Sequence, residues 1–575
     1  MKLRILSALA LSGALIFTSI TPAAAVAPDG WSTPTDISTT ASDASHPQVA
    51  VASDNTLVAV WTRSDGSNVI VQSSSSTDRG VTWSVPLDLS AAGQDAEDPQ
   101  IAVAPNDTFT AVWDRFDGSN SIVQSSSSTD GGVTWSAPID VSVAGQPAQT
   151  AQVSAATDNS LTAVWRRNNG SRNVIQASSS ADGGATWSTP VDVSDDARNS
   201  TTPQVTIAAD NTRTAVWRRN SGSNQIIQAS TSTDNGITWS VPADLSAAGQ
   251  DSDTPQISAA PDNSLTALWE RSDGSDGIVQ VSTSNDSGAS WSVPVDLSAA
   301  GGTAVQGQIT VAADGSRTAV WLRGNGSERI AQVSTSTDGG ATWSAAIDIS
   351  AIGENAREPQ LAATPDNTLV AVWHRQDSGD RILQASFSTD QGVTWSPAAD
   401  ISAVGSDTAG PEIVAAADGA FTIVWALTTG GTQVIQSAFG LVAPEITSAA
   451  PPAPALETAY SFQLTATGIA TPTFAVSSGT LPTGLTLSAD GLLSGTPTAA
   501  GEFTFTVTAS NGTLPDATAT YTLTTPALDP AGEEPLELLP PTGQSLPVPL
   551  MIVGGVVLLI GAGLLVVSRM RNAKK

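Results

Sequence analysis

Residues 82–128 read TWSVPLDLSAAGQDAEDPQIAVAPNDTFTAVWDRFDGSNSIVQSSSS. Four short alternating segments in this stretch are separated by turn residues, and such a pattern predicts four β-strands. The longer 3.6-residue periodicity of a helix is absent from it. The unit therefore predicts an all-β fold.

The pattern recurs every 52 residues. Two tryptophan series have this spacing and account for all 16 tryptophans: Trp31, Trp83, Trp135, Trp187, Trp239, Trp291, Trp343 and Trp395, and Trp61, Trp113, Trp165, Trp217, Trp269, Trp321, Trp373 and Trp425. Four strands in a unit of this length predict a β-propeller, with one blade per unit. An open solenoid is the alternative, but its ends would need capping units, which the sequence does not show.

The two ends of the array predict how the ring closes. In six of the eight units a proline follows the first tryptophan by three residues, as in Pro34 and Pro86. Proline is confined to edge strands, so this segment is expected to be the outermost strand of its blade. The first unit starts with such a segment at residues 31–38, whereas no such segment follows the last unit. We therefore predict that the N-terminal segment completes the last blade of an eight-bladed propeller over residues 26–440.

A second motif precedes each outer strand. Residues 76–83, STDRGVTW, follow the pattern S-x-D-x-G-x-T-W, and seven copies occupy the same place in the repeat. The motif resembles the Asp box of sialidase-like, BNR-repeat propellers. Its aspartates are assigned a structural role, since a carboxylate can accept backbone N–H bonds in a tight turn: Asp78, Asp130, Asp182, Asp234, Asp286, Asp338 and Asp390.

The resemblance implies a fold rather than an activity, because in that family the boxes lie away from the active site. A sialidase site would need a tyrosine nucleophile, a carboxylate acid/base and three arginines. The two tyrosines, Tyr460 and Tyr521, lie beyond the propeller. Sialidase activity is therefore disfavoured, and no catalytic residue is assigned.

Residues that are identical in most units are interpreted as scaffold, since symmetry favours a structural role over catalysis. Three series belong to this class: Arg63, Arg115, Arg167, Arg219, Arg271, Arg323 and Arg375; Gln72, Gln124, Gln176, Gln228, Gln280, Gln332, Gln384 and Gln436; and Asp36, Asp88, Asp140, Asp192, Asp244, Asp296, Asp348 and Asp400.

A ligand site is expected where the units differ. The residue after the second-strand tryptophan varies, which makes Asp114, Glu270 and His374 candidate ligand-binding residues, and the nearby Phe116 is the main aromatic candidate. Asp114 and Glu270 could also form a carboxylate pair for glycoside hydrolysis. Variable loops are predicted at residues 95–98, 195–201 and 354–358, on the rim opposite the Asp boxes.

No cofactor or metal site is predicted. Acidic groups such as Asp95, Glu97, Asp98, Asp251 and Asp253 could bind calcium weakly. They lack the regular oxygen-ligand spacing of a calcium loop, so solvated charge is the preferred interpretation.

Beyond residue 440 the tryptophan repeat stops. Alternating segments such as YSFQLTATG at residues 460–468 and FTFTVTA at residues 503–509 resemble the immunoglobulin-like, cadherin-like modules of bacterial surface proteins. We predict an immunoglobulin-like β-sandwich over residues 441–525 and an extended proline-rich linker over residues 526–549.

Both ends of the chain carry targeting signals. Residues 1–25 have the basic start, apolar run and small-residue end of a secretory signal peptide. Residues 550–567 predict a transmembrane helix, followed by a basic tail at residues 568–575. Upstream lies the motif of Leu539, Pro540, Pro541, Thr542 and Gly543.

This order of motif, span and tail resembles the LPxTG sorting signal of Gram-positive surface proteins. The resemblance implies that sortase cleaves between Thr542 and Gly543 and links Thr542 to peptidoglycan. The chain would then contact the membrane only through the helix, before cleavage. A single-span membrane protein with an incidental LPPTG is the alternative.

Charge and composition narrow the function classes. Residues 26–542 keep 17 of the 23 basic side chains and all 54 acidic ones, a formal charge of −37 that disfavours nucleic-acid binding. The chain has no cysteine, which excludes disulfides and thiolate chemistry. We expect a wall-anchored surface protein whose propeller binds an extracellular glycan or protein. A glycan-cleaving hydrolase with a non-sialidase site and a passive coat protein are the alternatives.

Overall fold

The computed structural model describes residues 31–39, 43–324, 326, 328–440, 442–469, 471–511 and 516–527. All regular secondary structure in these residues is β, which confirms the predicted fold class. None of the described residues belongs to a helix that could span a membrane. The predicted signal peptide, sorting motif, transmembrane helix and basic tail lie outside the described residues, as does the linker beyond residue 527.

Eight four-stranded antiparallel sheets form the blades, numbered 1 to 8 in chain order by their first strands. The first strands are Ala44–Val51, Ala96–Val103, Ala148–Ala155, Ser200–Ile207, Ser252–Ala259, Ala304–Val311, Arg357–Ala363 and Asp407–Ala415. The second strands are Leu57–Ser64, Phe109–Phe116, Leu161–Asn168, Arg213–Asn220, Leu265–Ser272, Arg317–Gly324, Leu369–Asp377 and Phe421–Thr429. The third strands are Val69–Ser76, Ser121–Ser128, Asn173–Ser180, Gln225–Ser232, Gly277–Ser284, Arg329–Ser336, Asp380–Ser388 and Thr432–Gly440.

The outer strands are short: Leu87–Asp88, Ile139–Asp140, Val191–Asp192, Ala243–Asp244, Val295–Asp296, Ile347–Asp348 and Ala399–Asp400 in blades 1 to 7. In blade 8 the outer strand is Thr35–Asp36, from the N-terminal end of the array, paired with Ser437 and Gln436. This confirms the predicted closure. The regular strand is shorter than the expected segment of residues 31–38, and an isolated bridge between Trp31 and Gly440 extends it.

First strands of neighbouring blades adjoin around the ring, and that of blade 8 adjoins that of blade 1. They therefore surround a central channel. The second-strand tryptophans are fully buried between blades. Trp113 of blade 2, for example, packs against Val58, Val60 and Val71 of blade 1. Repetition of this contact joins each blade to its neighbour through an apolar core.

The symmetric polar residues form a scaffold, as predicted. In all eight blades the third-strand glutamine donates from Nε2 to the outer-strand aspartate at 2.6–2.9 Å, as Gln72 does to Asp88. Four arginines of the series pair with the same aspartates, and Arg375 makes the shortest of these contacts, at 2.7 Å to Asp400. These bonds hold the short outer strands on their blades.

Strand direction defines two rims. The Asp boxes and the turns between first and second strands share one rim, named here the Asp-box rim. The turns between second and third strands and the loops that lead to the next blade share the other, named the bulge rim. In each Asp box the carboxylate accepts two hydrogen bonds from the residue four positions later in the chain. Asp78, for example, accepts them from the N–H and the hydroxyl of Thr82 at 2.8 and 2.5 Å. These bonds make each box a closed turn.

The C-terminal domain begins after blade 8. Its strands are Val442–Ile446, Tyr460–Gln463, Ala466–Ile469, Thr473–Gly479, Leu485–Leu487, Leu492–Gly495, Gly501–Ser510 and Ala517–Thr525. They form small antiparallel sheets around a separate core that includes Leu493, Phe505 and Tyr521. The N–H of Thr471 donates to the carbonyl of Asp418, in a turn of the Asp-box rim, at 2.8 Å. The domain thus contacts the propeller on the Asp-box rim.

Candidate ligand site at the channel mouth

Every first strand carries a β-bulge near the bulge rim. The register against the second strand shifts at the same place in all eight blades, as between Ser45 and Gln48 in blade 1. One residue of each bulge has a φ of 48–58°. We name these residues the bulge ring: His46, Asp98, Thr150, Thr202, Thr254, Gln306, Glu358 and Gly410. Left-handed backbone is costly for residues other than glycine and is concentrated at functional sites.

The bulge ring corrects the loop prediction. Residues 95–98, 195–201 and 354–358 were expected to be loops, but strands start at Ala96, Ser200 and Arg357. Asp98 and Glu358 therefore lie on the innermost strands, at the mouth of the channel. β-Bulges are typical next to active sites because they redirect a side chain.

Asp114 and Glu270 support the bulge ring from below. An oxygen of Asp114 accepts the N–H of Thr150 at 2.8 Å, and one of Glu270 accepts that of Gln306 at 2.5 Å. Burial raises the pKa of Asp114 to about 7 and also raises the pKa of Glu270. Asp114 therefore binds the bulge of blade 3, and Glu270 binds that of blade 6. Each carboxyl has its own backbone partner.

His374 has a similar supporting place in blade 7. It is fully buried, and its Nδ1 lies 3.4 Å from Oε2 of Glu358. The same oxygen of Glu358 accepts the N–H of Gly410 at 2.8 Å. The contact with His374, outweighing burial, lowers the pKa of Glu358 to about 2. Phe116, by contrast, is exposed at the end of its strand on the bulge rim.

A second ring lies two residues further along the first strands. It consists of Gln48, Gln100, Gln152, Gln204, Gln256, Gln308, Gln360 and Glu412, and we name it the glutamine ring. Glu412 is the exception in this ring, and its Oε1 accepts bonds from Nε2 of Gln48 and of Gln360, both at 3.2 Å. The replacement of glutamine by glutamate at position 412 is visible in the sequence. It indicates a candidate site only when the first strands are known to surround the channel.

Glu412 provides a prediction for stability. Burial raises the pKa of its carboxyl to about 8. Between its ordinary value near 4.5 and about 8, the folded state holds a proton that the unfolded chain releases, so stability falls as the pH rises through this window, by up to a few kcal/mol. We expect E412Q, which restores the amide of the other blades, to lack this decline.

Thermal unfolding from pH 5 to pH 9 measures the effect. The melting temperature of E412Q should rise relative to the wild type by several degrees across this range. The control is E97Q, at an exposed position, whose difference from the wild type should be constant. A constant difference for E412Q as well would contradict the assignment.

No group of three or more histidine, aspartate or glutamate side chains is placed to bind a metal ion among the residues that the structure describes.

Comparison with known proteins finds family matches for part of the repeat array and for the C-terminal domain. Residues 268–432 match the family model "BNR repeat-like domain", and residues 443–526 match the model "Putative Ig domain". A search of curated proteins found no match.

Solved structures that are similar to this chain have low identity. A protein of unknown function from Dyadobacter fermentans is 14% identical, with 71% of this chain and 97% of that chain covered and a TM-score of 0.39. A sialidase from Streptococcus pneumoniae is 13% identical, with 69% and 68% covered and a TM-score of 0.32. An α-L-arabinofuranosidase from Fusarium graminearum is 13% identical, with 71% and 96% covered and a TM-score of 0.36. The strands described above form an eight-bladed β-propeller, part of which matches the BNR-repeat model, followed by a domain that matches the Ig model.

Proposed function

We propose that this is a cell-wall-anchored surface protein whose propeller binds an extracellular glycan or protein at the bulge ring. One observation carries the proposal. Eight structurally equivalent residues at one mouth of the channel share a left-handed backbone, which is strained in the seven that are not glycine, yet they range from glycine to histidine and glutamate. Conserved geometry with variable chemistry is what a recognition surface on a repeated scaffold requires.

The position of the Ig-like domain supports this assignment. Blade 8 ends at Gly440 on the Asp-box rim, and Thr471 contacts Asp418 on the same rim. The bulge ring therefore lies on the rim opposite the domain that leads toward the proposed wall anchor. In the proposed arrangement, sortase joins Thr542 to peptidoglycan and the bulge rim faces outward.

Binding is favoured over hydrolysis at the predicted carboxylate pair. Asp114 and Glu270 each accept a backbone N–H from a different bulge. Their role in this proposal is to hold the bulges, as His374 does through Glu358. Phe116 is the exposed aromatic group that a bound ligand could contact on the same rim.

The test is a binding screen of the protein against glycan and protein arrays. We expect the variant D98A/T150A/T202A/T254A, which removes four side chains of the bulge ring, to lose at least tenfold in affinity. Its melting temperature should change by only a few degrees, because these side chains lie outside the blade cores.

A matched control removes four exposed side chains from the Asp-box rim: V81A, V133A, I237A and V393A. This control should bind as the wild type does. Unchanged binding by the bulge-ring variant would place the site elsewhere, and a wild type that binds nothing on either array would favour a passive coat protein.

A further inference from the structure

Blade 8 departs from the repeat twice at one place. In the bulge ring it carries Gly410, where the other seven blades have a side chain. In the glutamine ring it carries Glu412, where the others have an amide. The two positions are two residues apart on one strand, so the gap at Gly410 lies next to the carboxyl of Glu412 along the channel.

Two cavities meet at this place. One, of about 280 Å³, extends toward blades 5 to 7, and the other, of about 260 Å³, extends toward blades 1 to 3. Gly410 and Glu412 line both. A Cβ at Gly410 would meet only Cδ of Pro47, at 3.8 Å. Pockets for small molecules start at roughly 300 Å³. Each cavity is slightly smaller than that, so its volume suits a ligand of one small ring.

The walls of the cavities offer hydrogen bonds without a compensating cation. Amide, hydroxyl and carboxyl groups line both, and neither contains an arginine or lysine among its lining residues. An anionic ligand would therefore find no opposite charge. Pro47, Pro99, Pro359 and Pro411 add flat apolar faces. Oε1 of Glu412 is occupied by two amides, whereas its Oε2 makes no hydrogen bond within the described part of the chain.

We propose that the opening above Glu412, left by the absent side chain at Gly410, is a subsite for one uncharged sugar ring of an extracellular glycan. The proposal rests on the proposed function and specifies its ligand. The sugar hydroxyls would bond to the free oxygen of Glu412 and to neighbouring ring amides, and its C–H face would pack on the prolines.

The protonation state of Glu412 agrees with this ligand. Burial raises the pKa of Glu412 to about 8, so at neutral pH the carboxyl is uncharged and can donate a hydrogen bond to a sugar oxygen. The other ionisable groups that line the two cavities are His46, Asp98, Glu270 and Glu358.

The experiment fills the opening. G410Q introduces at blade 8 the side chain that blade 6 carries at Gln306, and the other blades show that this backbone accepts a side chain at φ 48–58°. The matched control is G183Q, which makes the same change on left-handed backbone in an Asp box, on the opposite rim and outside both cavities. The equivalent residue of another Asp box is Gln391, at φ 60°. The purified full chain is titrated with four neutral disaccharides: cellobiose, lactose, mannobiose and N,N′-diacetylchitobiose.

We expect the wild type to bind at least one of these disaccharides, G410Q to bind it at least tenfold more weakly, and G183Q to bind it within twofold of the wild type. Both variants should melt within a few degrees of the wild type, since each places a side chain on left-handed backbone at the same modest cost. Binding by G410Q equal to that of the wild type, or binding confined to acidic sugars, would overturn the proposal.

A pH series provides a readout that a structural role would not change. Wild-type affinity should fall as the pH rises from 7 to 9.5, because Glu412 loses the proton it donates. E412Q keeps an N–H donor and should show no such fall. The same decline in E412Q would count against Glu412. If the four-residue bulge-ring variant loses array binding while G410Q does not, the subsite is wrong and the proposed function stands.

Discussion

Deletion of residues 31–38 is expected to lower the melting temperature of the propeller by at least 10 °C. The segment supplies the outer strand of blade 8. It buries Ile37, and Ser32 and Ser38 exchange backbone and hydroxyl bonds with the third strand at Phe439 and Ile435. Each bond contributes about 0.5–1.5 kcal/mol and a buried isoleucine about 1.5–3 kcal/mol, so the combined loss is several kcal/mol.

The same deletion exposes the third strand of blade 8 as an unpaired edge, so we also expect aggregation on heating. Deletion of residues 526–537, which follow the last strand of the Ig-like domain, is the control and should leave the melting temperature within about 2 °C. Differential scanning calorimetry measures both variants. Equal melting temperatures would mean that the ring does not depend on its N-terminal strand.

The predictable parts of the fold are those whose sequence pattern recurs in all eight units. Each tryptophan at the position of Trp61 has the same surroundings, so one interpretation of the 52-residue period applies to every blade. The pairing of Gln72 with Asp88 and its seven equivalents followed from the same symmetry. Closure was predictable because the two ends of the array lack complementary parts of one unit.

The bulge ring was not predictable in this way. Residues 95–98 contain three acidic side chains and are followed by Pro99, a composition typical of a loop. They are held partly in a strand because Ala96 pairs with Arg115 on the second strand. Local sequence preference is overridden here by pairing within the blade, and only that pairing shows which residue of each unit takes the left-handed conformation.

Variation between blades points to the candidate residues only indirectly. Asp114, Glu270 and His374 vary between blades because each supports a different bulge residue, so their variation follows that of the bulge ring. Glu412 was missed because it occupies a position that otherwise reads as invariant glutamine. A single departure from a symmetric series is a signal only when the series is known to line a channel.

Replacement of Thr542 with alanine is expected to abolish wall linkage. By the sorting-signal resemblance, the carbonyl of Thr542 becomes the acyl group that sortase transfers to peptidoglycan, and the pentapeptide is recognised with threonine at this position. The T542A protein should remain in the membrane fraction through residues 550–567 or be shed into the medium. Muralytic digestion followed by immunoblotting separates these pools from wall-linked chains.

The control is T524A, an exposed threonine on the last strand of the Ig-like domain, which should leave wall linkage unchanged. Since T542A changes no residue of the propeller, its ligand binding in solution should equal that of the wild type, and only the place where binding occurs should change. Wall-linked T542A at the wild-type level would leave the single-span membrane protein as the better interpretation. Loss of linkage with intact binding would separate the two halves of the proposed function: recognition by the bulge rim and attachment by the C-terminal signal.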